Sequence, residues 1–461
     1  MKYSVITFGC RVNQADSLGF EEELRAAGAT SVPADAADLV IVNTCSVTAS
    51  ADQGARQTIR RVARANPGAK IVVTGCYATR RPDELAALPN VTRVIPNGDK
   101  PRAVPLILRP FESLRVALSN VEGRQAQDER ITIPLVLSGS KDEPSTATRF
   151  GDGEGSCGAA IEPGVAGRTA FTLRVQTGCA QPCSYCIIPT TRGAPRSVPV
   201  NDVLREVERV TAAGFKEVAL TGVHLGSYGR DLASPSSLVD LLRALDGFDV
   251  RGATPSGSPS DVLFRISSLE PMDCSTEIVD LVARSERFAP HFHLPLQHAS
   301  NRVLAAMRRP YSIAQYSTLV DGIRARMPGA SIGSDIIVGF PTETDEEFEE
   351  LAAYLERAPL THLHVFPYSD RPGTAASAIG DKVPGTAVRE RARRARELGR
   401  RLTERFHESQ VGTTHRALTL EDGSLVVTGN YLKVRIPPGR TRNEWVRLRL
   451  TSHHDGELLG G

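Results

Sequence analysis

Six of the chain's eight cysteines fall into two groups of three, spaced as metal ligands are rather than as disulfide partners. In VQTGCAQPCSYCIIPTTRG the thiols of Cys179, Cys183 and Cys186 follow directly on an apolar run, in the pattern C-x-x-x-C-x-x-C. Thiolates this close can grip three corners of an iron–sulfur cube, leaving the fourth iron free for a substrate or cofactor to chelate. The same loop could bind zinc with a distant fourth ligand, but Tyr185, an aromatic just before the last cysteine, favours iron. The second group comes from VITFGC, VIVNTC and IVVTGC, each an apolar run ending in a cysteine: Cys10, Cys45 and Cys76. In an open parallel sheet, ligands bind just beyond the carboxyl ends of the strands, so three thiols delivered there form a second tripod. One such cysteine alone would read as a small buried hydrophobe; three at equivalent positions argue against that. Cys157 and Cys274 lack comparable neighbours and are expected to be non-ligands.

Two kinds of scaffold must position these groups. Residues 3 to 100 alternate apolar runs with helical stretches near 15 to 27 and 51 to 65, the rhythm of a small parallel α/β domain. Between 111 and 168 the periodicity fails in a Gly, Ser and Pro-rich stretch that reads as a linker or insertion. From Phe171 onward, strands at FTLRVQTG, EVALTGVHL, LFRISSLE, HFHLPLQ, ASIGSDIIVGF and HLHVFPYS alternate with helices, which predicts a partial or complete β/α barrel. Residues 249 to 261 interrupt it as a surface loop. The run RERARRARELGRRLTERF, with eight arginines and three glutamates, predicts a basic helix that is more readily a solvated helix with internal ion pairs than an RNA contact. Beyond it, alternating residues predict a small antiparallel β-barrel with basic exposed positions, among them Arg416, Lys433, Arg435, Arg440, Arg442, Arg447 and Arg449. The expected division is therefore an α/β domain at 1–110, a linker at 111–168, a barrel at 169–400 and a small β-barrel at 401–461.

At 461 residues and 41% hydrophobic composition the chain can build two or three cores. Its formal net charge of +2 announces no nucleic-acid binder by itself, so any basic surface must be local. No apolar run approaches the length of a membrane span or a signal sequence, and the expectation is a cytoplasmic protein with no membrane partner.

The C-x-x-x-C-x-x-C loop with its preceding aromatic resembles the radical S-adenosylmethionine superfamily. That resemblance implies a 4Fe-4S cluster whose open iron is chelated by S-adenosyl-L-methionine, with Tyr185 able to pack on the adenine. Such sites lie at the C-terminal ends of barrel strands, where Cys179, Gly222, Ser267, Glu270, Gln297 and Gly339 fall, and Tyr185, Gly222, Ser267 and Glu270 are the expected cofactor contacts. Two tripods on one chain, with a terminal β-barrel similar to a TRAM RNA-binding domain, resemble the methylthiotransferase family over nearly the whole sequence. The family implies two 4Fe-4S clusters, the auxiliary one carrying sulfur for insertion, and S-adenosylmethionine as both methyl donor and radical source. It also implies a reducing electron donor and a sulfur donor as partners.

GCRVNQADS, CSYCIIPTTRGAPRS, RISSLEP and HVFPYSDRPGTAA most resemble the branch that inserts a methylthio group at C2 of N6-threonylcarbamoyladenosine, 3′ of the tRNA anticodon. An anticodon-loop base is unpaired and can be splayed into a pocket. Arg192 and Arg196 could meet phosphate or the threonyl carboxylate there, although solvated loop arginines are the simpler reading. The sequence departs from the family in its insertion before Phe171, in the loop at 249 to 261, and in PLQHAS, where a Ser-Gly pair usually follows the glutamine. His298 in that segment could transfer protons or serve as a structural hydrogen-bonder. Rival readings are sister enzymes acting on isopentenyladenosine in tRNA or on a ribosomal-protein aspartate. From other classes come a non-catalytic RNA-binding metalloprotein holding zinc, and an electron-transfer protein, for which each tripod lacks a fourth thiol.

Overall fold

In the N-terminal 100 residues, runs such as LVIVNT are buried on every residue, as strands covered by helices on both faces must be. The computed structural model describes residues 1–108, 163, 169–248, 262–454 and 456–461. Apart from Pro163 the expected linker at 111–168, with Cys157, lies outside these residues, as does the loop at 249–261. Five parallel strands, β1 (Lys2–Thr7), β2 (Thr30–Ser31), β3 (Leu39–Thr44), β4 (Lys70–Gly75) and β5 (Val91–Ile95), form one sheet in the order β2-β1-β3-β4-β5. Helices α1 (Arg11–Ala26), α2 (Ala49–Ala65), α3 (Cys76–Arg80), α4 (Pro82–Ala86) and α5 (Ala103–Leu108) surround it. The strand order reverses between β1 and β3, so the ligand crevice of this sheet opens at the ends of those strands.

The central domain starts with β6 (Phe171–Arg174), followed by a short antiparallel pair, β7 (Gln176–Thr177) and β8 (Arg196–Ser197), that brackets the cysteine loop and α6 (Ile188–Arg192). Strands β9 (Glu217–Thr221) and β10 (Leu263–Ile266) join β6 in one parallel sheet. A second parallel sheet holds β11 (His291–His293), β12 (Ser331–Val338) and β13 (His362–Pro367). A bridge between Phe264 and Phe288 links the two, giving an open six-strand β/α barrel. Its helices are α7 (Val200–Ala212), α8 (Leu238–Asp246), α9 (Thr276–Arg284), α10 (Asn301–Ala306), α11 (Ile313–Arg326) and α12 (Asp345–Arg357). Local chemistry sets their starts: α12 begins at a reciprocal cap in which Thr344 accepts from the Glu347 amide and Glu347 accepts from the Thr344 amide.

The basic run forms α13 (Gly385–Gln410), which continues through residue 400. Its charges are only partly paired within the helix. Arg391 is buried against Glu343 and Asp345, Arg394 meets Glu349 and Arg401 meets Glu356, so these ion pairs run from the helix to α12 and the loop before it. It delivers the chain to a closed antiparallel barrel with one parallel pair, formed by β14 (Thr414–Leu420), β15 (Leu425–Thr428), β16 (Lys433–Arg435), β17 (Trp445–His454) and β18 (Glu457–Gly460). The three units form the α/β domain, radical-SAM-type barrel and TRAM-like architecture expected from the sequence. No helix of the described residues is long and apolar enough to cross a membrane.

Candidate active site between two cysteine tripods

Cys10, Cys45 and Cys76 lie just beyond the carboxyl ends of β1, β3 and β4, as parallel pairing of those strands requires. Backbone freedom makes the convergence possible. Gly9 sits at φ +88°, and a Cβ there would fall 2.6 Å from the Cys45 sulfur; Gly75, at φ +103°, would meet the Thr44 carbonyl at 2.2 Å. Cys10 precedes the first turn of α1 and Cys76 opens α3, while Val47 N–H and Asn97 Nδ2–H each donate to sulfur, on Cys45 and Cys76 respectively, at 3.5 Å. Burial pushes the Cys45 thiol up to about 12, with Cys10 and Cys76 adding to the effect. Crowded sulfurs with amide donors aimed at them are a donor set that fits a polycationic metal cluster.

The second tripod is built in a similar way. Gly178 holds φ +78° ahead of Cys179, where a Cβ would lie 1.9 Å from the Ala194 carbonyl oxygen. Cys179 N–H donates to Gly193 O at 3.0 Å, Gln181 N–H donates to the Cys179 sulfur at 3.4 Å, and Ser184 ties the loop to α10 through Ala306 O and Met307 O. Burial raises all three thiols, Cys186 to about 12. Arg309, itself buried, donates to the Cys183 sulfur at 3.0 Å and pairs with Glu270. Sequence reasoning missed Arg309, because nothing in MRRPY distinguishes it from Arg308; only the fold brings it to the cluster loop.

Two of the expected cofactor contacts reach this tripod, Tyr185 within its loop and Glu270 through Arg309, while Gly222 and Ser267 follow β9 and β10. Tyr185 packs against the small cluster of Val303, Met307, Ile337, Phe340 and Ala376; Gly222 lies at the end of β9, where a Cβ would meet Leu225 at 2.7 Å and Gln176 at 3.0 Å. Ser267 accepts a hydrogen bond from Arg11 at 3.4 Å, and Glu270 is tied to Arg309. Gln297 and Gly339, at the ends of the second sheet, both adopt positive φ. Cys274 is buried in the hydrophobic core of the barrel, away from either group. His298 is fully buried, accepts at Nδ1 from Ser300 N–H at 3.0 Å, and burial lowers it to about 4, so it is a neutral structural residue.

A cleft of about 170 Å³ lies between the loop after Cys45 and the loop that carries Cys186. Val47 and Thr48, from the loop after Cys45, form one wall; Tyr185 to Ile188 with Cys186 form another; Gln297, Asp335, Ile337 and Phe366 to Ser369 complete it. Val47 and Phe366 remain exposed, presenting apolar surface to whatever enters.

Two buried carboxylates clamp the N-terminal domain to the barrel on either side of its tripod. Asp16 meets Lys100 at 2.6 Å, Arg192 at 3.4 Å and Arg174. Burial works against the Asp16 charge, but those three cations hold the carboxyl well below its usual range. Asp52 meets Arg80 at 2.5 Å and Arg371 at 2.8 Å and accepts from Ser46. Arg192 is thus not a solvated loop residue: it is buried in the domain interface, where Asp16, Cys76 and Cys10 outweigh the lowering effect of burial. Arg196 stays exposed and donates to the Arg192 carbonyl.

This arrangement, a cysteine loop at the mouth of an open β/α barrel, defines the class of radical S-adenosylmethionine enzymes. Residues 173–355 match the model of the radical SAM superfamily, and residues 2–96 match that of uncharacterized protein family UPF0004. Among full-length relatives, the threonylcarbamoyladenosine tRNA methylthiotransferase MtaB of Aquifex aeolicus is 34% identical, the match covering 94% of this chain and 96% of that one. The protein of the same name from Bacillus subtilis is 32% identical over 93% and 88% of the two chains. The ribosomal protein uS12 methylthiotransferase RimO of Roseiflexus sp. is also 32% identical over 93% and 88%. The chain belongs to the radical S-adenosylmethionine methylthiotransferase family. Among solved structures, the radical S-adenosylmethionine methyltransferase TsrM from Kitasatospora setae shares the fold, with a TM-score of 0.51 at 18% identity over 82% of this chain and 74% of that one.

Proposed function

We propose that this enzyme adds a methylthio group at C2 of N6-threonylcarbamoyladenosine beside the tRNA anticodon, with two 4Fe-4S clusters and S-adenosyl-L-methionine. The carrying observation is the pair of glycine-cradled cysteine tripods on separate domains, with the loop after Cys45 and the loop that carries Cys186 lining one cleft. Cys179, Cys183 and Cys186 would hold the cluster that binds and cleaves S-adenosylmethionine, and Cys10, Cys45 and Cys76 the auxiliary cluster. When bound, these groups supply the radical, the methyl group and the sulfur. The chain's own residues do the positioning. Tyr185, Gly222, Ser267 and Glu270 shape the cofactor pocket, Glu270 acting through Arg309. The exposed faces of Val47 and Phe366 offer an apolar slot for a splayed base. The substrate branch is supported by the threonylcarbamoyladenosine enzymes among the relatives above.

The division of labour follows the units: 1–110 carries the auxiliary tripod, 169–400 the cofactor site, and 401–461 contacts RNA backbone through its basic face, with 111–168 as linker. A tRNA substrate implies the cytoplasm, and turnover requires a reducing electron donor and a sulfur donor. Anaerobic iron and sulfide analysis, with electron paramagnetic resonance before and after adding S-adenosylmethionine, tests the reading. About eight irons per chain are expected, with one signal shifted by the cofactor. Cys183→Ala should abolish S-adenosylmethionine cleavage, whereas Cys45→Ala should spare cleavage and block methylthiolation. Zinc without iron, or equal loss of cleavage in both variants, would overturn it.

A further inference from the structure

One polar group at the cleft is not used by either tripod. His293 on β11 and His364 on β13 both contact the same carboxylate oxygen of Asp335 on β12, at 3.0 and 3.2 Å. Ser268 Oγ is 2.9 Å from Nδ1 of His293, and its neighbour Ser267 accepts from Arg11. A polar chain thus runs from Arg11, beside Cys10, to His364, and its middle member Asp335 lines the cleft. Asp335 takes Nδ1 of His364, leaving Nε2 on an exposed side chain without a protein partner among the described residues. Arg11 is half-buried, hydrogen-bonds only to the hydroxyls of Ser267 and Tyr431 and lies 5.8 Å from the Tyr431 ring centroid; among the described residues it has no carboxylate partner. A half-buried guanidinium without an anion, near an outward imidazole backed by a carboxylate, is arranged for a planar anion.

We propose that Arg11 and His364 form a carboxylate-binding subsite that selects an acylamino-acid substituent on N6 of the target adenine. The proposal rests on the threonylcarbamoyladenosine reading and deepens it: the apolar slot takes the base, and the Arg11–His364 end takes the charge that an isopentenyl group lacks. His364 is a specificity residue here, positioned by Asp335. The hydrogen bond to Asp335 raises its pKa against the opposing effects of burial and of Arg11. The groups facing it are Asp335 from the adjacent β12, His293 from β11 beyond it, His362 from its own strand, and Arg11. His362, lowered to about 4 by burial, is neutral at pH 7 and does not compete for the anion. With Nδ1–H given to Asp335, Nε2 donates only as the imidazolium, so affinity for a carboxylate falls as pH rises through this raised pKa.

The test uses holoenzyme and three synthetic anticodon stem-loops, carrying threonylcarbamoyladenosine, its threoninamide analogue or isopentenyladenosine. Binding is read by fluorescence anisotropy and turnover by nucleoside analysis. Wild type should prefer carboxylate over amide by about 10- to 100-fold, the range of one or two charge-assisted hydrogen bonds. His364→Gln, on an exposed side chain, should abolish the pH dependence of that preference and shrink it toward unity while still binding the amide RNA; Arg11→Gln should shrink it further. Equal wild-type affinity for acid and amide, or a preference that survives in both variants, would overturn the subsite while leaving the substrate reading intact. Turnover of the isopentenyl RNA alone would remove the substrate reading itself. A stoichiometric divalent ion, separate from cluster iron and lost in His364→Gln, would assign the His293–Asp335–His364 triad to metal and overturn the proposal as well.

Discussion

Replacing Asp16 by asparagine removes one negative charge from a pocket that holds three positive ones. The side chains of Asp16, Lys100 and Arg192 are almost wholly buried, at 1%, 5% and 2% exposure, so solvent cannot take over the lost role. The amide accepts hydrogen bonds but cancels no charge. Removing one partner of a buried ion pair costs about 3–5 kcal/mol, which corresponds to roughly two to four powers of ten in an equilibrium constant. Arg174 and Arg192 belong to the barrel and Asp16 to α1, so the cost should appear as undocking of the N-terminal domain rather than as global unfolding. In a multidomain chain a single unfolding free energy is not defined, so the assay is native-state hydrogen exchange followed along α1 and around Lys100. Protection there should fall by about 3 kcal/mol or more, while the barrel core around Leu220 and Ile332 stays unchanged. The sign with pH is fixed: the folded Asp16 pKa lies below its unfolded value. Its contribution is therefore complete above about pH 4 and is lost as pH falls further, a dependence the asparagine variant should lack. Replacing Lys100 by methionine in that background should recover part of the loss, because the stranded ammonium is then gone. Loss of protection below about 1 kcal/mol in the single variant, a value typical of exposed pairs, would refute the clamp.

Gly9→Ala should lower iron content by about half under anaerobic reconstitution, since the new methyl would occupy the space beside the Cys45 sulfur and the φ of +88° disfavours any L side chain. Retention of full iron would show that the loop can shift. Arg309→Met should leave a folded barrel that loses S-adenosylmethionine cleavage by at least about tenfold, because the Cys183 sulfur and Glu270 lose a shared cation. Unchanged cleavage, with an unchanged spectrum of the first cluster, would confine Arg309 to packing.

The strands and the tripods were legible in the sequence because apolar runs ending in cysteine specify both an element and its terminus. The period of 2 or 3.6 also marked the main barrel helices. Short elements such as β2, β5, α3, α6 and α10 carry too few residues to show a period and take their shape from the surroundings. The glycine in each Gly–Cys dipeptide at 9–10, 75–76 and 178–179 was a readable signal of positive φ at the cluster loops. Arg192, Arg309 and Arg371 were not legible as buried residues, since an arginine next to a loop looks solvated until the partner carboxylate, more than 30 residues away, is placed beside it. His293, Asp335 and His364 share no local pattern; parallel pairing of three strands alone makes them neighbours.

The two clamps also solve an electrostatic problem created by the auxiliary tripod. Buried ion clusters are poor sources of net stability, and an apolar interface would dock the domains as well. Yet the cations outnumber the carboxylates: Asp16 faces Lys100, Arg174 and Arg192, and Asp52 faces Arg80 and Arg371. That leaves two and one positive charges uncompensated beside three sulfurs that, on the proposed reading, would bind metal as thiolates. Arg192 registers the charge of Cys76 and Cys10 directly, and Arg371 donates to the carbonyl of Val47, whose amide donates to Cys45. Lysines alone in these places would shed protons under burial, whereas guanidinium stays charged and binds carboxylate through a planar fork. With the proposed auxiliary cluster in place, the ionic interface would both fix the domain against the barrel and offset the charge of the sulfurs it carries.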